Sequence, residues 1–215
     1  LASRAAHKRG MLLESMGRRV AATQDLMTVC TAAPVKAKYG QEACMDAGMW
    51  FYEGGEAGRA TRAFQVAVRR DPTNDRAWSN HGVVSQQMGR FEEALRSYKT
   101  AARVRPDAAT HYFNMAKAHQ DAGRVRDAIA MFRRAVIVQP DYYEAKASLA
   151  GALTPLRKWG KAVQLLEEAM TLRPGNAEGL YLLGFALMHV CGWEKLADVM
   201  ESLQTSVEKR LSAGE

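Results

Sequence analysis

Five histidines and three cysteines are the side chains of this sequence suited to metal, acid–base or thiol chemistry: His7, His81, His111, His119 and His189, with Cys30, Cys44 and Cys191. A helical metallohydrolase site needs two histidines four residues apart with a glutamate between them, so that both imidazoles and the base share one face. No histidine pair here has that spacing. The cysteines form no Cys-x-x-Cys pair, are odd in number and stand far apart in apolar sequence. That pattern reads as buried free thiols behaving as small hydrophobes, in a reducing compartment, rather than as a disulfide framework. No phosphate-cradling glycine loop or nucleophile elbow occurs, and Gly54, Gly55 and Gly58 read as turn residues between two helices. The sequence therefore offers no catalytic residue, no metal ligand set and no cofactor site.

The elements that would position any site are helical. The 215 residues are 47% hydrophobic and 25% charged, enough apolar material for a core and too little charge for a disordered polyelectrolyte. Methionine is abundant at 11, while β-branched residues are sparse, which leans towards helix. Glu14, Arg18 and Arg19 interrupt the first apolar run, so it does not read as a signal peptide, and no uncharged stretch is long enough for a membrane helix. The sequence starts at Leu1 without an initiator methionine, which fits an excerpt of a longer chain.

Periodicity decides the fold class. Pro72, Pro106, Pro140 and Pro174 stand 34 residues apart, and other series run in step with them. These are Gly55, Gly89 and Gly123; Ala60, Ala94, Ala128 and Ala162; Phe64, Tyr98, Phe132 and Leu166; and Ala67, Ala101, Ala135 and Ala169. Several series locked to one period mean stacked helix pairs rather than one globular core. In the copy from Arg76 to Arg105, Trp78, Gly82, Val83, Val84 and Met88 form the buried side of a first helix. Gly89 makes the turn, because glycine reaches dihedrals closed to other residues. Phe91, Ala94, Leu95, Tyr98 and Ala101 recur at three and four residues as the apolar face of a second helix. Small residues at Gly82 and Ala94 mark a close crossing, and Pro106 ends the pair.

This pattern resembles the tetratricopeptide repeat family. One copy reads Trp78, His81, Gly82, Ser85, Ala94, Tyr98, Ala101 and Pro106; the next reads Tyr112, Met115, Ala116, His119, Ala128, Phe132, Ala135 and Pro140. On one side stand Cys44, Ala47, Gly48, Phe51, Ala60, Phe64, Ala67 and Pro72, and on the other Lys146, Leu149, Ala150, Leu153, Ala162, Leu166, Ala169 and Pro174. The match is strong over 41–174. Gly10, Leu13, Gly17, Ala22, Leu26 and Pro34 read as a divergent first pair. Leu180, Leu183, Gly184, Leu187, Trp193, Leu196, Met200 and Leu203 read as a last pair whose second helix runs to about Arg210. The resemblance implies an all-α, right-handed superhelical solenoid of six pairs at 3–36, 41–74, 75–108, 109–142, 143–176 and 177–210. Thr154-Pro155 interrupts the pattern, so the helix there is expected to end near Leu153, with Trp159 packed into the pair interface. His81 and His119 fall at positions packed between helices.

In this family the first helix of each pair lines a groove, which implies a peptide-binding site at Arg76, Asn80, Val83, Gln87, Phe113, Asn114, Lys117 and Asp121. Asn80 and Asn114 share an offset at which an asparagine amide, both donor and acceptor, clamps a peptide backbone. The lysine and arginine clamp that some members use for acidic C-termini is missing, since Met45, Met49 and Thr110 stand at its positions. Tyr181, Leu182, Phe185, Met188 and His189 form a more apolar patch, covered either by a partner or by the final helix. The superhelix lacks a polar cap at that end, so self-association or continuation of the array is expected there.

The net charge of +7 raises the question of nucleic acid. The basic residues are dispersed and interleaved with acids, apart from seven Lys/Arg against two acids in 1–40, and 175–215 carries three against six. Neither nucleic-acid binding nor membrane insertion is expected. The implied function is a non-catalytic scaffold or adaptor that binds a peptide or partner subunit. The alternative is a substrate-recruiting module of a larger enzyme such as a protein glycosyltransferase. The expected compartment is the cytoplasm or another reducing interior, with organellar targeting left open.

Overall fold

The computed structural model describes residues 19–32 and 38–213, and the chain divides after Asp107 into two compact units. Every regular element among the described residues is helical. The first unit contains α1 (Arg19–Ala32), α2 (Lys38–Glu53), α3 (Ala57–Arg70), α4 (Asp75–Gln87) and α5 (Phe91–Val104). The second contains α6 (Ala109–Asp121), α7 (Val125–Val138), α8 (Tyr143–Leu153), α9 (Trp159–Leu172), α10 (Ala177–His189) and α11 (Trp193–Ala213). Gly10, Leu13, Gly17 and Pro34, which carry the reading of a first pair at 3–36, lie outside the described residues. Within that range α1 is described, and it buries Leu26, Val29 and Cys30.

The periodic residues act at the helix ends. Gly55, Gly89 and Gly123 have φ of 76°, 72° and 73°, the left-handed region that favours glycine. Each lets the following amide reach back to the end of the first helix, as in Arg90 N–H to Ser85 O at 2.8 Å and Arg124 N–H to His119 O at 2.8 Å. In the next copy α8 stops at Leu153, a 3-10 turn follows over Thr154–Leu156, and Arg157 takes the left-handed position at φ 54°. Pro72, Pro106, Pro140 and Pro174 each follow a residue of non-helical backbone: Asp71, Arg105, Gln139 and Arg173 have φ between −131° and −141°. Proline sterically excludes helical dihedrals from its predecessor, so the second helix of each pair must stop there. Asn74 and Asn176 then cap the next helices, accepting from Ala77 N–H at 3.0 Å and Gly179 N–H at 2.8 Å.

Pairs α2–α3, α4–α5, α6–α7, α8–α9 and α10–α11 pack closely within their units. In the first unit the core runs through Phe51, Ala60, Phe64, Ala67, Ala77 and Val84. In the second it runs through Ala116, Phe132, Leu149, Leu153, Leu166, Leu183 and Leu187, with Trp159, Leu196 and Val199 packed against it. His81 is buried between α4 and α5, its Nδ1 2.8 Å from Ser97 Oγ and its Nε2 3.6 Å from Glu93 Oε1. Burial pushes its pKa below 6.5, against the opposing pull of the Glu93 carboxylate. Lys146 stands where the two preceding copies carry Trp78 and Tyr112, and it is buried with its ammonium 2.6 Å from Glu168.

Four expectations are corrected. Cys30 and Cys44 are not free thiols: they form a disulfide joining α1 to α2, with Cα atoms 4.6 Å apart and both residues fully buried. Disulfides persist in oxidising compartments, so the bridge is at odds with the cytoplasmic or otherwise reducing location expected from the sequence. The remaining cysteine, Cys191, is exposed rather than buried, in the turn before α11 at φ 56°. Gly58 likewise lies within α3 rather than in the turn.

Candidate peptide-binding surfaces

On α4, Arg76, Asn80, Val83 and Gln87 are separated by four, three and four residues, a spacing that keeps them on one face. The opposite face buries Ala77, His81, Val84 and Ser85. Arg76 and Gln87 are exposed at the two ends, and Asn80 and Val83 are half-buried between them. The neighbouring first helix α2 contributes Met49, exposed, whose Sδ lies 3.4 Å from Asn80 Nδ2. A thioether is a weak acceptor, so a peptide carbonyl would be a stronger partner for that amide N–H.

In the second unit α6 carries the equivalent residues. Asn114 and Lys117 are half-buried and Asp121 is exposed. Phe113 is engaged: its ring centroid lies 5.6 Å from that of Phe132 and 5.3 Å from that of Tyr142. The two neighbouring aromatic residues make Phe113 part of the packing of its unit, a wall of the surface more than an open contact.

The α10 residues divide. Leu182 packs against the core, and His189 stacks on Trp159 with centroids 4.0 Å apart and planes 11° apart. Phe185 meets both rings edge-on, at 5.8 Å and 4.9 Å. Tyr181 and Met188 remain 62% and 47% exposed with α11 in place, so the final helix does not cover them. It takes a different face of α10: a Cβ added at Gly184 would sit 3.6 Å from both Leu196 and Val199.

Sequence reasoning missed a cleft of about 510 Å³ in the first unit. Met27, Thr28 and Thr31 of α1 form one wall, Trp50 and Phe51 of α2 the floor, and Arg59 and Arg62 of α3 the other wall. Arg59 lies over the Phe51 ring at 5.5 Å and pairs with Glu56 at 2.9 Å. Its lining comes from three helices at no fixed spacing, so no motif marks it. Among the described residues no group of three or more His, Cys, Asp or Glu is placed to hold a metal ion. None of the described helices is long and apolar enough to cross a membrane.

Two family profiles of the tetratricopeptide repeat match the chain, over residues 75–137 and 113–177. No curated protein matches its sequence. Among solved structures it is similar to PilF of Pseudomonas aeruginosa, at 18% identity and a TM-score of 0.72, covering 100% of this chain and 93% of that one. It is also similar to MamA of Desulfovibrio magneticus RS-1, at 16% identity and a TM-score of 0.69, covering 81% and 96%. A third structure is YrrB, described as a TPR protein with an unusual peptide-binding site, at 15% identity and a TM-score of 0.64, covering 84% and 91%. At such identities these likenesses speak for the fold alone. With the profile matches, the phased glycines and prolines, and the helix pairs they delimit, the chain belongs to the tetratricopeptide repeat family.

Proposed function

We propose that the protein is a non-catalytic interaction scaffold that binds extended peptide segments of a partner along the first helices of its pairs. The observation that carries this reading is the face of α4, where Asn80 sits beside Met49 between two exposed polar residues, Arg76 and Gln87. An amide there can donate to a peptide carbonyl and accept from a peptide N–H whatever the peptide's side chains. Asn114 holds the same offset on α6, so each unit carries its own clamp. The peptide-binding site named for the YrrB structure supports the reading, since that protein shares the fold. Tyr181, Phe185 and Met188 add an apolar anchor on α10.

Selection from a displayed library of unstructured peptides tests it. Binders should lose about 3- to 10-fold in affinity on Asn80→Ala or on Asn114→Ala, the worth of one net hydrogen bond. Unchanged affinity in both variants would reject the clamp.

A further inference from the structure

The outer face of α11 presents an exposed apolar stripe flanked by acidic residues. This helix is 21 residues long and its apolar residues fall in two adjoining sectors. Leu196 and Val199 pack on the second unit's core, and Leu203 beside them is half-buried. Trp193, Met200 and Val207 recur every seven residues with Leu211 four further on, and they are 61%, 53%, 42% and 71% exposed. At 3.6 residues per turn these four lie within about 40° of one another, a stripe about 27 Å long. Glu194, Glu201 and Glu208 each follow a stripe residue by one position, forming an exposed carboxylate row along the edge away from the core. Gln204 Nε2 donates to Glu208 Oε1 at 2.9 Å. Lys195 is turned away from the row and pairs with Glu167 of α9 at 2.5 Å.

We propose that this face docks a basic amphipathic helix of a partner protein. A straight stripe with seven-residue recurrence matches the apolar seam of another helix, and a flanking acidic row selects lysine or arginine beside that seam. The local charge agrees, with six acids against three Lys/Arg over 175–215. The same row repels nucleic acid and anionic lipid. It also disfavours the same face of a second copy, because symmetric pairing would bring like carboxylates together at the rim.

The test titrates the full chain with two synthetic 21-residue helices that share a leucine seam, one flanked by lysines and the other by glutamates. The lysine helix should bind at least about tenfold more tightly than the glutamate helix, and more weakly as salt is raised. Its affinity should fall at least about tenfold in the triple variant Glu194→Gln, Glu201→Gln, Glu208→Gln and in Leu211→Lys, while Asn80→Ala leaves it unchanged. These positions are exposed, and circular dichroism of each variant checks that its helices are kept. Equal binding of the two peptides, or full binding by the triple variant, overturns the proposal. So does sedimentation showing that the chain self-associates and that Leu211→Lys makes it monomeric, because the occupant would then be a second copy.

Discussion

Gly82 lies against the ring of Tyr98 so closely that a Cβ added there would stand 2.6–2.9 Å from three ring carbons. The ring cannot simply swing aside, because its hydroxyl donates to Gln86 Oε1 at 2.9 Å and the side chain is buried. Gly48 and Phe64 repeat the relationship one copy earlier, at 2.6–2.8 Å. In the second unit Ala116 and Phe132 hold the same two motif positions, both fully buried. In that copy the crossing accommodates a methyl group beside a phenylalanine ring.

Gly82→Ala should destabilise the protein by about 1–3 kcal/mol, the usual range for overpacking a filled core. The cost should shrink in a Tyr98→Phe background, where no hydroxyl bond to Gln86 holds the ring in place. Urea denaturation of the two single variants and the double variant measures the coupling. Strict additivity would show that the tethered ring is not the obstacle.

The Cys30–Cys44 bridge closes a separation of 14 residues and ties α1 to α2. Arg70 of α3 holds the same place from a third helix, its Nε donating to Cys30 O at 2.9 Å and its Nη2 at 2.5 Å. Reduction, or Cys30→Ala with Cys44→Ala, should cost about 3 kcal/mol by the loop-closure argument. The loss should be local. Hydrogen exchange should quicken in α1 and leave α7 to α10 as they were. Exchange in α1 that is the same in the bridged protein and in the double variant would overturn the prediction.

Much of the fold was legible because a helix end is a local event. Proline restrains only its predecessor, and glycine is needed only where φ turns positive, so Pro106 and Gly89 announce their turns without reference to the rest of the chain. Even the irregularity at Thr154 and Pro155 was readable, and Arg157 simply accepts the left-handed geometry that glycine takes elsewhere. The disulfide was not legible, since sequence separation does not report a Cα distance of 4.6 Å between two helices. Nor was the stack of Trp159 on His189, whose rings meet across 30 residues of sequence. Phe113 shows the limit for the candidate groove. Its offset on α6 was readable, but whether Phe132 and Tyr142 engage its ring depends on two other segments.

His81 gives the stability a pH dependence whose sign follows from its surroundings. Burial holds its pKa below the 6.5 it has in an unfolded chain, with Glu93 working the other way. Between the folded value and 6.5 the unfolded chain therefore binds more protons, so this contribution is fully present above about 6.5 and is lost as the pH falls through the folded value. The slope it adds should be a fraction of the one-proton limit of about 1.4 kcal/mol per pH unit, given the partial compensation by Glu93. Urea midpoints measured from pH 7.5 down to pH 5 should fall more steeply for the native chain than for His81→Gln, whose amide can still bond Ser97 and takes up no proton. Parallel slopes for the two proteins would place the acid sensitivity on other groups and leave His81 as packing alone.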